Sequence, residues 1–160
     1  FCEEPKPGDL IEIFRTGYQH WAIYVGDGYV IHLSPSGEYP GAGSSSLFSV
    51  LTSKAVVKRE RLKDVVGGCC FHINNFLDHK YSPRPVHKIL KSANAMINKE
   101  MEYCVLRNNC EHFVTRLRYN KGESEQVTKV LMEGGVALGV GILAVTGYSV
   151  LKKQSKAVTP

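Results

Sequence analysis

No C-x-x-C pair occurs in this 160-residue chain, and its five cysteines (Cys2, Cys69, Cys70, Cys104 and Cys110) follow no regular spacing. An odd, irregular set argues against a disulfide framework and against a zinc ribbon. A reducing, cytosol-facing compartment is the expectation. The six histidines contain neither H-x-x-x-H nor H-E-x-x-H, so the sequence gives no support for a metal site among them. Internal repeats are lacking. A strong charge imbalance is lacking: the formal net charge is +5, a moderate excess, and no nucleic-acid reader motif accompanies it. That excess suits an anionic membrane surface, and many soluble proteins carry as much. The first residues lack an apolar run and are not expected to form a signal peptide; the chain opens on Phe1 rather than Met. What is present is apolar bulk. At 43% hydrophobic and 22% charged residues, the chain reads as one folded domain rather than a disordered one.

Residues 9 to 14 (D-L-I-E-I-F) alternate polar and apolar and predict a first strand. Two apolar, β-branched and aromatic runs follow, 18–25 and 29–33. Gly26-Asp27-Gly28 lies between them, so a β-hairpin is expected. Residues 35–46 are rich in Gly, Ser and Pro and read as a mobile loop. Further strands are expected at 55–57 and 65–73, separated by the basic residues Lys58, Arg59, Arg61 and Lys63, with loop over 74–84. Val86, Ile89, Leu90, Ala93 and Ile97 fall at helical spacing, with Pro85 suited to a first helical position. A second helix is expected from about Asn109, with Asn108 as N-cap and Glu111 completing a capping box. Cys110, Phe113, Val114 and Leu117 would share its apolar face.

Residues 134–151 form an 18-residue stretch without a charge, closed by Lys152, Lys153 and Lys156. As a helix it would span roughly 27 Å, just short of a ~30 Å hydrocarbon core. A membrane anchor is expected there, although a buried core helix has the same composition. Gly135 and Gly139 form a lone G-x-x-x-G, a weak helix-pairing signal.

Cys110 is the sharpest chemical feature. At the start of a helix, unpaired N–H groups and the macrodipole favour a thiolate and lower the thiol pKa. A small buried packing residue is the competing reading. A thiol nucleophile needs a base, and the base needs an orienting group. His20 opens the second expected strand and His32 lies near the end of the third, so a hairpin brings them close. His112 faces another side of the helix and suits a structural hydrogen bond. Tyr18 could offer a hydroxyl donor or simply pack.

The blocks H-W-A-I-Y-V-G-D-G-Y-V-I-H-L (20–33) and N-C-E-H-F-V (109–114) resemble the lecithin:retinol acyltransferase-like thiol enzymes, and within them the phospholipase A/acyltransferase group. The resemblance covers nearly the whole chain; Ser34 and Asn120 are small departures, and 121–133 diverges. It implies an α+β, circularly permuted papain-like (NlpC/P60) domain with an antiparallel sheet packed on helices, plus a C-terminal transmembrane helix. It implies Cys110 as nucleophile, His20 as base and His32 as its orienting partner. In the mechanism expected from these roles, helix-start amides, that of Cys110 among them, hold the oxyanion, with Tyr18 either an auxiliary donor or a packing residue. The implied activity is calcium-independent cleavage of both ester bonds of glycerophospholipids, phosphatidylcholine and phosphatidylethanolamine among them. The acyl group would pass to water, to the amine of phosphatidylethanolamine or to a lysophospholipid hydroxyl. Neither cofactor nor metal is expected.

The expected organisation is a catalytic domain over 1–125, a junction over 126–133, the anchor over 134–151 and a basic tail over 152–160, with the catalytic part facing the cytosol. Lys58, Arg59 and Arg61 form either a solvated face or a phosphate contact. Two other classes stay open: a thiol peptidase on the same fold, and a membrane adaptor without catalysis. The anchor argues against the first and the complete Cys-His-His set against the second.

Overall fold

The computed structural model describes residues 3–16, 18–35, 54–104 and 108–132. The chain divides into a unit over residues 1–124 and a second over 125–160. The first is built on a six-stranded sheet in the order β5-β1-β2-β3-β4-β6. Its strands are β1 (Leu10–Arg15), β2 (Tyr18–Gly26), β3 (Tyr29–Pro35), β4 (Lys54–Arg61), β5 (Phe71–Ile73) and β6 (Glu100–Glu102). Every paired neighbour is antiparallel. The helices of this unit are α1 (Leu62–Val66), α2 (Val86–Met96) and α3 (Cys110–Tyr119). The fold is therefore α+β, as expected. In the second unit the described part is α4 (Glu125–Met132), where Lys129 and Glu125 pair one turn apart at 3.5 Å.

The hairpin forms as its sequence predicts. Gly26 faces Tyr29, and the two residues between them, Asp27 and Gly28, have φ of 53° and 77°. Two left-handed residues in a two-residue loop match the twist of the flanking strands, which is why Asp-Gly is favoured there. Alternation then sorts the strands onto two apolar layers. One holds Leu10, Trp21, Ile23, Ile31, Leu33 and Val57 against Ile89 and Ala93 of α2 and Phe113, Val114 and Leu117 of α3. The other holds Ile11, Ile13, Ala22, Tyr24 and Val30 against Val65 and Val66 of α1.

Three expectations are corrected. Residues 65–73 are not one strand: Val65 and Val66 end α1, and Gly67 (φ 55°) and Gly68 (φ 83°) turn the chain left-handed before the short β5. Two left-handed residues stop a strand as well as a helix, and Gly67 is the αL cap that closes α1. The basic stretch is not a connector; Lys58, Arg59 and Arg61 lie within β4, which continues to Arg61. Pro85 is the N-cap of α2 rather than its first residue. The polar edge strand β6 was not expected. The segment 74–84 is irregular, as expected, yet tied down: Leu10 N donates to Asn75 Oδ1 at 2.9 Å, and Arg118 binds Asp78 Oδ2 at 2.9 Å and the Gly8 carbonyl at 2.7 Å. Among the described residues no helix is long and apolar enough to cross a membrane. The expected anchor at 134–151 and nearly all of the expected loop at 35–46 lie outside the described residues.

Candidate active site

β2 and β3 carry the two histidines. His32 stands opposite Ala22 in the register, so His20, two residues along β2, is its diagonal neighbour on the same face. Both rings are buried, at 5% and 3% exposure. They meet edge to face at 5.0 Å, with His20 Nε2 2.9 Å from His32 Nδ1. Burial above all, with the positive charge of Arg15 adding to it, holds the His20 pKa well below the usual 6.5. The ring is therefore neutral at pH 7, the form a base requires. His32 Nε2 in turn lies 2.6 Å from Glu60 Oε2. The hydrogen bond from His32, foremost, pulls the Glu60 carboxyl below the ordinary carboxylate range.

Cys110 is the first residue of α3, as expected, but the cap is Asn109 rather than Asn108. Asn109 Oδ1 accepts from His112 N at 3.0 Å, and His112 Nδ1 accepts from Asn109 N at 3.3 Å. His112 thus takes the capping-box place expected of Glu111. Burial, then Arg116, lowers the His112 pKa, so the neutral ring keeps the acceptor that this bond needs. Glu111 is instead fully buried and accepts from the Ser124 hydroxyl, and Ser124 also accepts from Asn109 Nδ2 at 3.4 Å. Both chain neighbours of Cys110 are thereby fastened to one serine.

α3 packs on the sheet face opposite to the one carrying the imidazoles, yet the thiol reaches the strand itself. Cys110 Sγ lies 3.8 Å from the Gln19 carbonyl, and the amides of Trp21, Glu111 and Cys110 donate toward the sulfur. Gln19 and Trp21 are the two neighbours of His20, and both lie beyond the Ala22–His32 end of the β2–β3 pairing. The structure so brings His20 and His32 into contact and sets the thiol at the backbone on either side of His20. A direct Sγ–imidazole hydrogen bond is not among those formed by the described residues. The lowered thiol pKa expected from the helix start is overturned: burial outweighs the amides and pushes Cys110 up to about 12. Tyr18 opens β2 and shares the face of His20 by alternation. A half-exposed His72 lies 3.1 Å from the buried Glu12 of β1. Among the described residues no group of His, Cys, Asp and Glu could hold a metal ion.

Glu60 was missed. It stands between two arginines in a stretch that reads as a solvated basic face, and only the β3–β4 register, His32 opposite Lys58, reveals that it reaches His32.

An α+β sheet with a helix-start thiol beside a buried imidazole pair defines a thiol–histidine site, and its relatives agree with that class. The family model described as lecithin retinol acyltransferase matches residues 3–123. Human phospholipase A and acyltransferase 4 is 61% identical over 157 residues, covering 97% of this chain and 96% of that protein. Human phospholipase A and acyltransferase 3 is 50% identical over 153 residues, 96% of this chain and 94% of that protein. Human phospholipase A and acyltransferase 2 is 49% identical over 152 residues, 95% and 93%. The chain belongs to the lecithin retinol acyltransferase family, in its phospholipase A and acyltransferase group.

Proposed function

We propose that this protein is a calcium-independent phospholipase A1/A2 and phospholipid acyltransferase that works through a cysteinyl thioester on a circularly permuted papain-like domain. The single observation that carries this is the Cys110 thiol seated at the backbone on both sides of His20, whose ring is bonded to His32 at 2.9 Å. The names of its relatives supply the phospholipid and the two reactions.

Cys110 starts as a neutral thiol and His20 as a neutral imidazole. When a phospholipid ester enters, the thiol turns from the Gln19 carbonyl toward the ring and His20 takes its proton. Sulfur bonds to the ester carbonyl carbon, and the oxyanion is held by helix-start amides, that of Cys110 among them, with the Tyr18 hydroxyl as an auxiliary donor. The intermediate collapses by breaking the bond to the glycerol oxygen. That oxygen takes the proton from His20 and departs as lysophospholipid, leaving acyl-Cys110. Water, the amine of phosphatidylethanolamine or a lysophospholipid hydroxyl then attacks the thioester. His20 accepts the attacking group's proton and returns it to the sulfur. His32 holds the ring of His20 in place throughout.

Residues 1–125 form the catalytic domain in this proposal, 126–133 a junction, 134–151 a single-pass anchor with the domain on the cytosolic side, and 152–160 a basic tail. The uncharged 18-residue stretch closed by three lysines supports the anchor. The test is release of fatty acid from phosphatidylcholine vesicles, with trapping of the acyl-enzyme. Cys110→Ser should abolish both; full activity in that variant would refute the nucleophile.

A further inference from the structure

A hydrogen bond between two neutral imidazoles has a direction, and the direction decides whether His20 is a base. If His20 Nε2 donates to His32 Nδ1, its own Nδ1 keeps a lone pair. If Nε2 accepts instead, Nδ1 carries the hydrogen and cannot take a proton from a thiol. The 2.9 Å contact is compatible with either order. A third group therefore has to decide it.

Glu60 is placed to do so. β4 runs beside β3 with Lys58 opposite His32, and Glu60, two residues further on, shares their face. Its Oε2 is 2.6 Å from His32 Nε2. The ring it meets is buried, whereas the Glu60 side chain is 30% exposed, so the carboxylate keeps contact with water while binding a group almost shut off from it. An ionised carboxylate only accepts hydrogen bonds. The hydrogen of His32 must then sit on Nε2. A neutral His32 with Nε2–H has its lone pair on Nδ1, so His20 Nε2 must donate, and His20 Nδ1 is left unprotonated. We propose that Glu60 is a positioning residue that fixes the proton order along Glu60–His32–His20 and thereby makes His20 Nδ1 the base. This rests on the roles proposed above for Cys110 and His20. Among the described residues, Lys58 on β4 and Arg15 on β1 are the other charges that act on this chain of groups; neither accepts a hydrogen bond, and neither can replace the carboxylate.

The test uses the full chain in lipid nanodiscs, with Glu60→Ala and Glu60→Gln made both in the native sequence and in a Cys110→Ser background. Long-range proton–nitrogen NMR at neutral pH reads the tautomer of each ring. In the parent His20 should carry its hydrogen on Nε2. Glu60→Ala should mix the two forms, while Glu60→Gln, whose carbonyl still accepts from Nε2–H, should keep the parent pattern in large part. Turnover should fall about 10- to 100-fold in Glu60→Ala, less than the ~10⁴-fold that a wrong tautomer costs a histidine held directly by a buried carboxylate. Glu60→Gln should recover much of the loss. Removing the negative charge should also move the acid limb of the pH–rate profile downward, which a purely structural defect would not do. An unchanged His20 tautomer in both variants overturns the proposal, as does a shifted tautomer with turnover equal to the parent. Since the tautomer is read in Cys110→Ser as well, failure of the nucleophile assignment would show separately, as retained activity in that variant.

Discussion

At the scale of single residues, two opposing pulls meet at Cys110. The start of a helix favours a thiolate, and burial favours the thiol. The residue is 4% exposed, and burial prevails, pushing the thiol pKa up to about 12. The resting pair is thus thiol and imidazole rather than a standing ion pair. Cys110 should accordingly react with iodoacetamide at pH 7.5 much more slowly than the exposed Cys70, as read by mass spectrometry of the alkylated peptides; equal rates would contradict a neutral buried thiol. The sign for His20 runs the other way. Its folded pKa lies below 6.5, so the base form persists to lower pH than in an ordinary histidine. The acid limb of kcat/KM should have its midpoint below 6.5. The same shift makes the unfolded chain bind a proton that the folded chain refuses, so stability from this group is full above pH 6.5 and falls as pH drops below it. His20→Ala should abolish acyl-enzyme formation, whereas His32→Gln, which can still hydrogen-bond His20, should keep part of it. Both histidines were legible in the sequence because the hairpin between them was. Glu60 was not, since nothing local distinguishes a carboxylate that reaches across a strand from one in water.

At the scale of elements, the start of α3 depends on its cap. Asn109 and His112 satisfy each other's backbone amides, and Ser124 ties Asn109 and Glu111 together. Asn109→Ala should lower unfolding stability by about 1 kcal/mol, measured by urea titration, because a cap of this kind contributes roughly that much. Activity should fall further than stability does, since the same turn presents the thiol. The sequence indicated a helix start here but placed the cap one residue early, because two asparagines stand side by side and either can cap. Val65-Val66 read as strand for a comparable reason: β-branched residues favour strands locally, and the two left-handed glycines that follow are what close a helical turn. β6 is only three residues long, too short for its Glu-Met-Glu alternation to announce a strand; its pairing with Lys54–Val56 of β4 supplies the order.

At the scale of the whole molecule, the sheet separates two apolar layers, with α2 and α3 on one and α1 on the other. The segment after α3 is bound back onto it: Thr115 Oγ1 donates to the Glu123 carbonyl at 3.0 Å and accepts from Glu123 N at 3.1 Å, while the Glu123 carboxylate holds Lys80 and Tyr81. A chain ended at residue 121 loses these bonds and the Ser124 tie. It should be less stable than one ended at residue 133 in a urea titration, by roughly 2 kcal/mol from the two fully buried Ser124 bonds alone at about 1 each. Ending the chain at residue 133 should also release it from membrane pellets; continued pelleting in the same amount would refute the anchor.

The shared face of the two histidines rests on parity. A strand turns its side chains over with every residue, and His20 stands two residues from Ala22, the partner of His32, so both imidazoles point to one side of the sheet. The hairpin's register shift, between Tyr24 and Gly26, lies on the turn side of that pair and leaves it undisturbed. An extra residue near the Asp27-Gly28 turn is thus taken up without parting the imidazoles, whereas one between His20 and Ala22 would send His20 to the opposite face.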